Sequence, residues 1–231
     1  MSNSTNNPLH IENKPLRERV VDVLREAIVS GEFKPGQPLI EMEIAAQLGI
    51  SRAPLREALQ FLSHEGLVEV TPYRGTVVKP LTRTDIEELY SLRCVLETFA
   101  LQRLIAQNNP DNVIKLRQCY EDMLTAAQEG DRKLVNNIDR QFHNLLIDSS
   151  QHSLLSTTWN SVSLRVRQVM TLRNRKNRDI TQIAYNHLPI IEAIAQCDEL
   201  LATRLIQEHI SSAGDLIAEL WDTAPTEDGK A

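Results

Sequence analysis

The sequence predicts a mainly α protein in two parts: a small head of three helices closed by a β-hairpin, and a larger antiparallel bundle of six helices. Three observations carry that reading. Apolar residues recur at helical spacing through most of the 231 residues. Leu, Ile, Ala, Glu, Gln and Arg are plentiful while aromatics make up only 4%, a balance that favours helix over sheet. Glycine, proline and short polar clusters interrupt the periodic stretches where helices would end. With 42% apolar residues, the chain can bury a core in each of two ordinary domains.

The first helix is read from "LRERVVDVLREAI", which places Leu16, Val20, Val23, Leu24, Ala27 and Ile28 on one face before "SGEFKPG" ends it. "IEMEIAAQLG" gives a short second helix with Ile44, Ala45 and Leu48 inward, and Gly49 suits a left-handed residue at its C-terminus. Ser51 is the expected N-cap of a third helix, with Pro54 in the first turn, a buried stripe of Leu55, Ala58, Leu59 and Leu62, and Gly66 at its end. "LVEVTPYRGTVVKP" then reads as two short strands around the turn Pro72–Gly75. Helix, helix, turn, helix and hairpin in this order describe a winged helix-turn-helix, whose third helix enters the DNA major groove.

Charge places demands on that reading. Net charge is −6, and residues 1–80 carry 9 Lys+Arg against 10 Asp+Glu. A nucleic acid would therefore have to be held by a few well-placed cations. Arg52 and Arg56 are two such cations. They lie at the positive end of the helix dipole, which disfavours each by roughly a few tenths of a kcal/mol unless an anion faces it. Phosphate oxygens or guanine edges are that anion. Arg52, Arg56, Gln60 and Ser63 share the face opposite the leucine stripe, and Arg74 at the hairpin tip would enter or flank the minor groove. The reading requires the two guanidinium tips to be exposed and not held by carboxylates of the same chain.

The segments "GEFKPGQPL", "EIAAQLGISRAPLREALQFLSHEGLVEV" and "RGTVV" closely resemble the DNA-binding domain of the GntR superfamily of bacterial transcription regulators. The resemblance implies DNA contact by Ser51, Arg52, Pro54, Arg56 and the wing tip Arg74 and Gly75. Gln60 joins them by its place on the outward face of the third helix. Some members carry an arginine where this chain has Met42, so no DNA contact is expected there.

From Thr82 to Trp221 the pattern is almost continuously helical, with breaks at "NNPD", "EGD", "SSQHS", "NRKNRD" and "QCD" that delimit the six helices. The first carries Ile86, Leu89, Leu92, Leu96, Ala100 and Leu104; the last carries Leu201, Leu205, Leu216, Ile217, Leu220 and Trp221. Asp139 and His143 are four apart and share a helix face. His187 lies 10 residues before Cys197 and His209 12 after it, so in an antiparallel hairpin both sit roughly 15–18 Å from the bend and are level. Two level histidines with an Asp/His pair are enough for a mononuclear metal site, although an isolated helical histidine is more commonly a core or surface residue. His10, His64 and His152 fall outside this geometry.

"RCVLE", "DRQFH", "HLPIIEAIAQCD" and "ATRLIQEH" resemble the FCD effector domain that follows GntR-type heads in the FadR subfamily, and six helices point to its VanR-like branch. The resemblance implies that Asp139, His143, His187 and His209 hold a divalent ion, zinc first and manganese or nickel as alternatives. An octahedral ion would keep two positions for water or an effector carboxylate. By the same resemblance Arg93 lies near the pocket and could pair with that carboxylate; the plainer reading is an intrahelical ion pair with Glu97. Arg165 and Arg167 are weaker candidates.

The implied whole is a homodimeric, ligand-responsive regulator, a repressor in the usual behaviour of such families, acting on palindromic double-stranded operator DNA with a small carboxylate as effector. A metal sensor is the alternative, and a metal-dependent hydrolase a lesser one, because no HExxH segment accompanies the ligands. The polar start and the lack of 18 consecutive apolar residues predict neither signal peptide nor membrane span, hence a cytoplasmic location. Cys94, Cys119 and Cys197 have no paired spacing and read as small buried hydrophobes. The expected organisation is a polar tail at 1–13, the head at 14–80, the bundle at 81–222 and a second tail at 223–231.

Overall fold

A computed structural model describes residues 14–176 and 179–222, without the side chains of 173, 175, 176, 213 and 215–222. Both expected tails, His10, and the side chains of Leu216, Ile217, Leu220 and Trp221 lie outside that description. The head is α1 (Leu16–Val29), β1 (Pro38–Leu39), α2 (Glu41–Leu48), α3 (Arg52–His64), β2 (Val68–Thr71) and β3 (Gly75–Val78). Helix α1 buries Val20, Val21, Leu24, Ala27, Ile28 and Val29, while Leu16 and Val23 face outward. The expected stripe is thus rotated toward Val21, because α1 packs between α3 and a helix of the bundle. The α3 stripe is buried as expected, with Leu55, Ala58, Leu59 and Leu62 at most 1% exposed. Each such leucine contributes roughly 1.5–3 kcal/mol.

The hairpin pairs Val68 with Val78 and Thr71 with Gly75. Strand β1, absent from the sequence reading, pairs antiparallel with β3 through Pro38–Val77 and Leu39–Thr76, giving the order β1-β3-β2. Two residues are too few to show alternation, so periodicity could not reveal it.

The bundle comprises α4 (Arg83–Gln107), α5 (Pro110–Gln128), α6 (Arg132–Ser149), α7 (Ser153–Lys176), α8 (Thr181–Tyr185), α9 (Leu188–Ala195) and α10 (Glu199–Asp222). Its helices start and stop where local chemistry dictates. Thr82 and Asp85 form a capping box at α4. Asn109 caps α5 with Pro110 in the first turn, and Asp131 accepts from the Leu134 amide at α6. The fifth predicted helix is divided into α8 and α9. Pro189 lacks an N–H and its ring clashes with the carbonyl four residues back, so the chain must restart as a new helix there. The helix count that pointed to one branch of the family therefore turns on the five-residue α8.

Helix α10 lies along α4, and α5 packs on α6. Their core includes Leu101, Leu116, Phe142, Leu146, Ile191 and Ile206. Helix α4 is apolar on two sides: Ile86, Leu89, Ala100 and Leu104 face the core, while Leu92, Val95 and Phe99 are 41%, 66% and 41% exposed. Leu92 thus departs from the expected buried stripe. Cys94 and Cys119 are half-buried, with burial pushing both thiols up, and Cys197 is exposed rather than buried. Among the described residues no helix is long and apolar enough to cross a membrane.

Head and bundle meet at α7. Leu164 packs against the core of the head. Arg167 forms two hydrogen bonds to Glu26 of α1, at 2.8 and 2.7 Å, and Arg165 pairs with Asp85 at 2.8 Å.

Candidate nucleic-acid interface and metal centre

Helix α2 ends at Gly49 in the left-handed region, φ 64° and ψ 34°, a conformation that glycine adopts without penalty. The tight turn this permits sets α3 across α2. With the leucine stripe inward, Arg52, Arg56 and Gln60 are exposed and Ser63 is half-buried. Ser51 sits at the N-cap in an extended conformation but makes no side-chain capping hydrogen bond. The first-turn amides are thus left without a side-chain cap from Ser51, and open amides at a helix N-terminus suit phosphate. Pro54 is half-buried in that turn.

At the hairpin tip Arg74 and Gly75 are exposed. The turn closes through an Arg74 N–H to Thr71 carbonyl bond of 3.1 Å, with Gly75 at φ 94°. A Cβ added at Gly75 would meet nothing within 4 Å, so backbone conformation alone favours glycine there. Tyr73 is fully exposed at φ 63°. The sequence reading passed over it, although an aromatic residue at the tip of a polar turn was visible as a signal. Met42 is 70% exposed.

Arg52 meets the requirement set by the sequence: no carboxylate holds it among the described residues. Arg56 meets it in part. Its Nε–H donates to Glu41 Oε2 at 2.7 Å, yet its side chain remains 60% exposed against 27% for Glu41. An exposed pair of this kind is worth roughly 0–1 kcal/mol, so it orients the arginine without withdrawing it from a ligand. Glu41, Arg56, Leu59, Gln60, Tyr73 and Gly75 line one cleft between α3 and the hairpin, of about 440 Å3.

The second cluster lies inside the bundle. Asp139 and His143 project from α6, His187 caps the start of α9, and His209 stands on α10. Ligand atoms of the three histidines lie within 4.8 Å of one another. The rings of His187 and His209 have centroids 4.6 Å apart, so the two are level even though His187 sits at a helix junction and not within one long helix. Asp139 Oδ1 is 3.2 Å from His187 Nε2 and 3.8 Å from His143 Nε2.

Hydrogen bonds on the far side of the His187 and His143 rings fix their tautomers. His187 Nδ1 lies 2.7 Å from the Ile183 carbonyl, and His143 Nδ1 lies 2.5 Å from Glu97 Oε2. Both acceptors require Nδ1–H, which leaves each Nε2 as a lone pair facing the cluster. Neither Nε2 has a hydrogen-bond partner there, nor has Asp139 Oδ2, and all three atoms are buried. Buried polar atoms of this kind are rarely left unsatisfied. Burial pushes the His143 imidazole below its ordinary value despite Glu97, which favours the neutral, ligating form. Burial raises the Asp139 carboxyl, while the nearby Arg93 guanidinium favours its ionised form. The residues thus fit a small divalent cation. Nitrogen ligands of a tetrahedral zinc, each roughly 2.0–2.1 Å from the ion, lie roughly 3.4 Å from one another, so the three imidazoles would close in on binding.

Arg93 forms the intrahelical pair. Its Nε–H donates to Glu97 Oε1 at 2.5 Å, and both residues are 0–1% exposed. Burial opposes both charges, but each sustains the other: the Arg93 pKa is held above its ordinary value and that of Glu97 below its own. Arg93 Nη2 remains buried without a hydrogen-bond partner. Arg165 and Arg167, the weaker candidates, are engaged by Asp85 and Glu26 at the junction of head and bundle. His64 lies 2.7 Å from the Gln60 carbonyl and His152 Nδ1 accepts from the Leu155 amide, both away from the cluster. The sequence named Glu97 only as a partner of Arg93. Its bond to His143 spans 46 positions, a distance at which no spacing rule operates.

Comparison with known proteins gives two family matches. Residues 16–78 match the bacterial regulatory proteins of the gntR family, and residues 88–212 match the FCD domain. The chain is 33% identical over 196 residues to the "Probable D-xylose utilization operon transcriptional repressor" of Paenarthrobacter nicotinovorans, covering 84% of this chain and 85% of that protein. It is 32% identical over 208 residues to the gluconate operon transcriptional repressor of Bacillus subtilis, covering 88% and 85%. Among solved structures, E. coli McbR/YncC shares the fold with a TM-score of 0.75 at 21% identity, covering 90% of this chain and 99% of that one.

Proposed function

This chain belongs to the GntR family of bacterial regulatory proteins and carries an FCD domain, and from that premise we propose that it is a cytoplasmic, ligand-responsive repressor that binds palindromic operator DNA as a homodimer. The observation that carries the reading is the outward face of α3, where Arg52, Arg56 and Gln60 stand exposed above four buried residues and beside a hairpin with an exposed tip. Ser51 and Arg52 reach phosphate, Arg56 and Gln60 reach base edges in the major groove, and Pro54 shapes the first turn. Arg74, backed by Gly75, flanks the minor groove. The exposed α4 stripe of Leu92, Val95 and Phe99 supplies an apolar face for the second copy, as a symmetric operator requires.

Asp139, His143, His187 and His209 would hold a divalent ion, zinc before manganese or nickel. When bound, such an ion would attract a carboxylate as a Lewis acid, and Arg93 Nη2, buried without a hydrogen-bond partner, would add a charge-assisted hydrogen bond to a small carboxylate effector. The effector shifts DNA affinity only as far as it binds one arrangement of head and bundle better than another. Burial of Asp139, His143 and His187 to 2% exposure or less favours one second reading, in which the ion itself is the signal.

The test is footprinting on genomic fragments captured by the purified protein. Arg56→Ala should abolish protection while leaving the circular dichroism spectrum unchanged. Specific protection retained by that variant would refute the groove assignment.

A further inference from the structure

The contact between Glu41 and Arg56 joins the first residue of α2 to the first turns of α3. A carboxylate at the start of α2 is favoured by that helix's own dipole, which accounts for an acid at this position but not for its grip on Nε. We infer that Glu41 is a specificity-determining positioning residue: by accepting the Arg56 Nε–H it aims the remaining Nη1/Nη2 edge at guanine and keeps Arg56 from serving as a phosphate contact. The inference rests on the DNA reading proposed above.

The chemistry supports this division of labour. A guanidinium group is a rigid planar fork, so fixing Nε fixes the plane and leaves two parallel donors, the arrangement that matches O6 and N7 of guanine. Glu41 is the less exposed partner, at 27% against 60%, and so is the anchor while Arg56 is the arm. The pair is close to neutral. That makes it a poor ligand for a phosphate, which would meet the Glu41 carboxylate as well, but not for a guanine edge, which carries no net charge. Arg52, with no carboxylate holding it among the described residues, is the unmodified phosphate contact of the same helix. An arginine already held in its bound geometry also loses less side-chain freedom on binding.

The experiment is selection from a randomised duplex library with the full-length wild type, Glu41→Ala, Glu41→Gln and Arg56→Ala, each first checked for an unchanged thermal melt. Wild type should enrich guanine at one position of each half-site, and Arg56→Ala should lose that preference. Glu41→Ala should lose it at the same position by about tenfold or more, while binding unrelated duplex more tightly because Arg56 is released to phosphate. Glu41→Gln keeps an oxygen to accept the Nε–H and should retain the guanine within a few-fold. Replacing that guanine by 7-deazaguanine should weaken binding by wild type and Glu41→Gln but not by Glu41→Ala. A guanine preference lost in Arg56→Ala but intact in Glu41→Ala overturns this inference alone, as does a Glu41→Gln variant no better than Glu41→Ala. Base preferences untouched by Arg56→Ala overturn the DNA reading, and this inference with it.

Discussion

Glu97 holds two cationic or proton-donating groups with one carboxylate: Oε1 receives Arg93 and Oε2 receives His143. Removing its charge should therefore act on both. In Glu97→Gln the buried Arg93 loses its counterion, and breaking a buried pair costs about 3–5 kcal/mol. The amide offers one oxygen where the carboxylate offered two; with that oxygen drawn to the charged Arg93, His143 faces the NH2 group and loses the acceptor that fixes its ring, an outer contact whose loss typically weakens metal affinity about 10–100-fold. Denaturant unfolding and metal retention against a competing chelator would measure the two effects. Unchanged values in both would show that Glu97 supports neither. The residues of this centre were unequally legible. Asp139 and His143 announce themselves by helical spacing, and His187 and His209 by their distances from one bend. Glu97 acquires its second partner only through the packing of α4 on α6, which no local pattern encodes.

At the scale of the element, the start of α4 is secured twice over, from within and from α7. Thr82 and Asp85 satisfy each other's backbone, and Arg165 of α7 bonds the same aspartate. The Arg165 hydrogen bond is the largest influence on Asp85, followed by those of Thr82, and together they hold its carboxyl well below the usual range. A carboxyl depressed in the folded state adds stability that is complete above its unfolded value of about 3.9 and is lost as pH falls through the folded one. Asp85→Asn should therefore be less stable than wild type at pH 7, and the gap in melting temperature should narrow below about pH 4. A gap that stays constant down to pH 2 would contradict this. Element boundaries were legible wherever a single residue sets them, as Gly49, Gly66 and Pro110 do. They were missed where tertiary contact decides, as with the two-residue β1 and the rotated buried face of α1. The division at Pro189 was visible in principle, since proline inside a helical run predicts a restart.

For the whole molecule, a net charge of −6 means that DNA binding relies on few contacts. In the proposed dimer Arg52 and Arg74 of two heads are four guanidinium groups free to meet phosphate, which gives a log–log dependence of affinity on salt with a slope of roughly −3.6. Titration across salt concentrations would measure it. A slope steeper than about −8 would assign the binding to other cations, and a flat line would remove phosphate from the interface.

The head is not a self-sufficient body, because Leu164 of α7 packs against its core and Arg167 grips α1 beside it. Grafting this reading head onto a foreign sensory module would leave a leucine-shaped gap in its side. Successful chimeras must carry the matching plug along, so in this architecture the inheritable unit is the head together with one turn of the seventh helix.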